Sequence, residues 1–125
     1  MKFLYRNLLR VMPYVFVFGL VLTTYLLLNE VLPSVTRWTY GDKVQHAMGF
    51  FLLASSARIG FPNQARLFYI GLAFYGALME VLQSSLTLTR EASVYDWIAD
   101  VAGVLLCIIL FNTLRSHQTK KQFNV

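Results

Sequence analysis

Cysteine is almost absent from this chain: Cys107 stands alone, so no intrachain disulfide can form and cysteine usage says nothing about compartment. Lying inside an apolar run, it reads as a small buried hydrophobe. Proline is scarce too, and of the three only Pro13 falls in an apolar run, near its start, where a missing backbone donor costs least. Acids number six against eleven lysines and arginines, a net charge of +5. Nucleic acid is nevertheless excluded as a partner, because the basic residues are dispersed at segment ends and form no stripe with interleaved stacking residues. There is no HExxH, no Cys/His cluster and no nucleophile elbow, which removes the common hydrolase signatures.

What is present is apolar mass in blocks. The hydrophobic share is 57%, above the roughly 45 to 50% of ordinary soluble domains. Cutting the runs at charges and turn residues predicts an all-α membrane domain of four spans, at about 11–28, 44–59, 67–86 and 97–114, with a polar, loosely ordered tail over 115–125. The basic, apolar amino terminus has the look of a signal peptide but lacks a small-x-small cleavage site, and is read as a retained first helix. Gly60, Phe61, Pro62 and Asn63, between Arg58 and Arg66, predict a tight helical hairpin.

Charge is segregated along these blocks. Lys2, Arg6, Arg10, Arg58, Arg66, Arg115, Lys120 and Lys121 mark one set of ends, while Glu30, Asp42, Glu80, Glu91, Asp96 and Asp100 gather at the other with Arg37, Lys43 and Arg90. Because Lys and Arg are enriched in cytoplasmic loops, this predicts both termini inside and an acidic outer end. Trp38, Tyr40, Tyr95 and Trp97 sit where interfacial aromatics belong. A faint echo at a spacing of 54 residues aligns Asp42, His46, Gly49 and Leu52 with Asp96, Asp100, Gly103 and Leu106, as two parallel helical hairpins would.

The outer-end polar residues fall at helical spacings: Asp42 with His46, Asp96 with Asp100, and Glu80 with Gln83. Ionised groups are costly against lipid, so these faces should turn inward and line a shared cavity. Glu80 interrupts an apolar run and serves either as interhelical glue or as a functional acid. Asp42 with Gln45 and Ser93 with Asp96 also fit capping boxes. His46 is open to three readings: a satisfied buried histidine, a proton carrier or a metal ligand. Gly49, Gly76 and Gly103 read as close-packing positions. The binding candidates are therefore Asp42, Lys43, His46, Glu80, Gln83, Arg90, Asp96 and Asp100. Asp42, His46, Glu80, Asp96 and Asp100 are candidate ligands for a divalent cation, and Glu80, His46 and Asp96 are candidate catalytic groups. Glu30, Arg37 and Glu91 read as solvated rim residues.

The blocks Asp42-Lys43-Val44-Gln45-His46, Glu80-Val81-Leu82-Gln83 and Arg90-Glu91-Ala92-Ser93-Val94-Tyr95-Asp96, followed by Asp100 and Gly103, resemble the VanZ-like family. These are small bacterial multispan proteins named for a teicoplanin-resistance protein. The resemblance covers about Asp42 to Leu114. Asp100 stands where the family pattern has Asn, which adds a charge or a ligand. The resemblance implies a multi-pass protein of the bacterial cytoplasmic membrane acting at the envelope. Three functions are then open: recognition of an envelope lipid head group or lipid-linked cell-wall precursor, with an influence on glycopeptide susceptibility; a membrane-embedded hydrolase or transferase on lipid phosphate or glycolipid, either metal-dependent or using Glu80 or His46 as general acid or base without metal; or a structural bundle, with a homodimer or another partner.

Overall fold

The computed structural model describes residues 2–29, 40–88 and 91–123. They form four helices: α1 (Lys2–Leu28), α2 (Gly41–Gly60), α3 (Ala65–Leu86) and α4 (Val94–Phe123). α1, α3 and α4 are each long and apolar enough to cross a membrane. α2 has 20 residues, about 30 Å of rise and so long enough for a hydrocarbon core. Its Asp42, Lys43, His46, Ser55, Ser56 and Arg58 dilute its apolar character. Large apolar side chains such as Phe18, Val21, Phe74, Leu78, Leu106 and Ile109 are exposed, as expected of helices whose solvent is lipid.

Both ends of the chain are more helical than the apolar blocks imply. Pro13 lies inside α1 rather than near its start, because Leu4, Leu8 and Leu9 continue the run and Arg6 and Arg10 are good helix formers. The backbone there meets α2: a Cβ on Gly60 would stand 2.9 Å from Pro13 N. The expected loose tail is likewise corrected, since α4 continues to Phe123. Residues 115–123 contain neither glycine nor proline, so nothing stops the helix.

The hairpin between α2 and α3 closes as its sequence suggests. Phe61 N–H donates to Ala57 O at 2.8 Å and Gln64 N–H to Phe61 O at 3.0 Å. Arg58 Nη1 donates to Pro62 O at 3.1 Å, and the Phe61 ring stacks on Phe68 with centroids 4.5 Å apart.

Phe16, Phe50, Leu53, Ala54, Ala57, Leu72, Val104 and Cys107 form the core, with α2 packed against the other three helices. α2 and α4 lie parallel, and their cross-helix bonds join residues separated by 52 to 54 positions. α1 and α3 also run parallel, joined by bonds across 51 to 56 positions. The echo therefore corresponds to two helical hairpins packed side by side in matching register. Gly103 sets the tightest approach: a Cβ there would fall 2.1 Å from Ala47 O, so the α2 and α4 backbones touch. Gly49 does not fit the expected packing role, because a Cβ would meet nothing within 4 Å.

Candidate functional site

Parallel packing of α2 on α4 brings the two polar faces together at their amino-terminal ends. His46 Nδ1 lies 2.8 Å from Asp100 Oδ1. Asp100 is completely buried and His46 is 5% exposed. One turn outward, Lys43 Nζ donates to Asp96 Oδ1 at 2.9 Å. Lys43 precedes the apolar run that starts at Val44, and this hydrogen bond to Asp96 raises its ammonium pKa above the ordinary lysine value. With 37% of its side chain exposed, the pair is screened; Lys43→Met should lower stability by no more than about 1 kcal/mol, read by thermal unfolding in detergent.

α3 brings Glu80 to the same place. Glu80 Oε2 accepts the backbone N–H of Ser93 at 2.7 Å, and Ser93 Oγ accepts the N–H of Asp96 at 3.3 Å. In an ordinary capping box the acid at the third helical position returns a bond to the cap's own N–H. Here Glu80 from a different helix takes that role, which frees Asp96 for Lys43. Ser93→Ala should cost about 1 kcal/mol through the lost cap, again read by thermal unfolding. Asp42 does not cap α2: the cap position is Tyr40, whose side chain makes no capping hydrogen bond, and Asp42 sits in the first turn.

Two carboxylate oxygens have no hydrogen-bond partner among the described residues, Glu80 Oε1 and Asp100 Oδ2. Glu80 is 6% exposed, so neither oxygen is satisfied by bulk water, and an unpaired buried acceptor is costly. A Cβ on Gly76 would lie 2.8 Å from Asp100 Oδ2 and 3.3 Å from a Phe50 ring carbon. Glycine at that position makes room for the carboxylate.

His46, Glu80 and Asp100, from three helices, offer ligand atoms within 4.8 Å of one another, and so do Asp42, His46 and Asp96. Imidazole and carboxylate oxygens suit Mg²⁺, Mn²⁺ or Zn²⁺. Four carboxylates, Asp42, Glu80, Asp96 and Asp100, face at most two positive side chains, Lys43 and His46, among the described residues. A dication would redress that balance.

Not every expected member joins the group. Gln83 is buried, yet its Nε2 donates to Leu27 O at 2.8 Å and so closes the end of α1. Arg90, with Glu30, Arg37 and Trp38, lies outside the described residues. Glu91 is exposed. A cavity of ≈ 580 Å³ lined by Val21, Thr24, Tyr25, Leu28 and Asn29 includes none of the cluster's residues. Ser93 does more than cap α4, because its backbone N–H anchors Glu80. Trp97 also ties α4 to α3, its Nε1 donating to Ala73 O at 2.9 Å.

Comparison with protein-family models, curated proteins and solved structures gives no match.

Proposed function

We propose that this is a multi-pass protein of the bacterial cytoplasmic membrane, with α2 as a fourth span and both termini inside, whose outer polar cluster seats a divalent cation. Through that ion it holds the phosphate-bearing head group of an envelope lipid or lipid-linked cell-wall precursor. The observation that carries the reading is the pair of buried, unpartnered oxygens, Glu80 Oε1 and Asp100 Oδ2, beside His46. Mg²⁺ in particular is commonly held by one or two carboxylates while its remaining positions go to water and phosphate. Ligand atoms of His46, Glu80 and Asp100 within 4.8 Å of one another suit the size of a single ion. The partly exposed ammonium of Lys43, beside Asp96, supports a phosphate-bearing ligand at the rim. The segregation of lysine and arginine supports the orientation.

The test is binding of a polyprenyl phosphate to the detergent-purified protein, with Mg²⁺ or with a chelator, followed by assay for released inorganic phosphate. Binding that requires Mg²⁺, fails in Glu80→Gln and releases no phosphate supports recognition. Phosphate release lost in the same variant would replace recognition with metal-assisted hydrolysis. Binding indifferent to both chelator and Glu80→Gln would overturn the reading.

A further inference from the structure

A second polar site lies at the opposite end of the bundle. A cavity of ≈ 770 Å³ opens where the α2–α3 turn meets α4, and Arg58, Arg66 and Arg115 all line it. No acid contributes to its lining. Arg58 is held in place by its bond to Pro62 O and by the Phe111 ring, 6.0 Å from the guanidinium carbon. Both contacts are to neutral groups, so they orient the charge without cancelling it. Among the described residues no ion pair involves Arg66 or Arg115.

Tyr69 and Asn112, one from α3 and one from α4, add neutral hydrogen-bonding groups to the same wall. The cavity also adjoins the start of α3, whose cap residue Gln64 makes no side-chain capping bond, and the positive end of that helix adds to the field of the arginines. Guanidinium forks match phosphate oxygens in bidentate geometry, and converging cations repel one another until an anion enters.

We infer that the Arg58–Arg66–Arg115 cavity is a phosphate-anion site, suited to the phosphodiester of an anionic membrane lipid. The lipid source follows from position: the site lies at the ends of helices whose outer faces are apolar, beside an exposed Leu67 that would meet the acyl chains. Basic pockets between membrane helices at the cytoplasmic face commonly receive such head groups.

Short-chain phosphatidylglycerol, phosphatidylcholine and inorganic phosphate should be titrated separately into the full chain in an uncharged detergent. Wild type is expected to bind phosphatidylglycerol at one site and phosphatidylcholine not at all. Arg66→Gln/Arg115→Gln should weaken phosphatidylglycerol by about tenfold or more. Arg6→Gln/Arg10→Gln, which removes the same charge from α1 without touching the cavity, should change it by less than about twofold. Displacement of the lipid by inorganic phosphate would support the anion site and assign it a soluble source, whereas failure to displace it supports the lipid. Equal loss in both double variants would show general surface attraction and overturn the site, as would full retention in Arg66→Gln/Arg115→Gln. Arg66→Lys/Arg115→Lys guards against misfolding: a folded variant with intermediate affinity supports the forked contact. None of these results depends on the outer cluster.

Discussion

Asp100→Asn should abolish tight cation binding while leaving the bundle folded. The carboxamide occupies the same volume, and its Oδ1 can still accept the His46 Nδ1–H that Asp100 Oδ1 faces at 2.8 Å. What disappears is the negative charge and the anionic Oδ2, which has no hydrogen-bond partner among the described residues. If Asp100 holds an ion directly, affinity should fall by at least about 100-fold, the upper end of what losing a supporting residue costs. Stability without metal should change by no more than about 1 kcal/mol, since the neutral pair keeps its hydrogen bond. Isothermal titration with Mn²⁺ and thermal unfolding in detergent read the two quantities separately. A folded variant that binds Mn²⁺ like wild type would remove Asp100 from the site.

Gly103→Ala should have a larger structural effect than alanine at Gly19, Gly49, Gly60, Gly71 or Gly76. The new Cβ would sit 2.1 Å from Ala47 O and 2.9 Å from Phe51 N. Backbone atoms cannot rotate away as a side chain can, so α2 and α4 must separate. The cost should reach about 3 kcal/mol, the upper end of ordinary overpacking. Separation would also pull His46 from Asp100, so ion binding should be lost with the fold. Gly49→Ala is the matched control. Its Cβ meets nothing within 4 Å, and the better helix propensity should leave thermal stability unchanged or raised by up to about 1 kcal/mol. Both are measured by thermal unfolding in one detergent.

The contrast between these glycines shows what a sequence pattern can and cannot reveal. The 54-residue echo pairs Gly49 with Gly103, and the two helices do pack in that register. Equivalence in register is not equivalence in contact: of the two, only Gly103 lies against the backbone of the facing helix. The meeting of His46 with Asp100 was legible because both positions open a span from the same side and a buried charge must find a partner. Glu80 was legible as an anomaly in an apolar run, but its bond to Ser93 N–H was not. A backbone donor carries no residue signature, and it comes from another element.

Gln83 illustrates a different limit. Three residues beyond Glu80 in a helix of 3.6 residues per turn, it is rotated by about 60° from it. Helical spacing marks the two as one polar face, but in a four-helix packing that rotation is enough for Glu80 to meet α4 and Gln83 to meet α1. α1 and α4 run well past their apolar blocks for a simpler reason. Apolar runs mark what crosses lipid, whereas helices continue past them until glycine, proline or a competing cap intervenes, and neither Lys2–Met12 nor Ser116–Phe123 supplies one.

The central claim is that His46, Glu80 and Asp100, delivered by three helices, form one seat for a cation. Electron spin-echo modulation of the Mn²⁺-loaded protein tests it most directly, because it detects nitrogen bound to the ion. A single imidazole nitrogen coupling in wild type, lost in His46→Gln, together with loss of bound Mn²⁺ in Glu80→Gln, is the expected result. Mn²⁺ held without nitrogen coupling, or bound equally by wild type and both variants, would contradict the account.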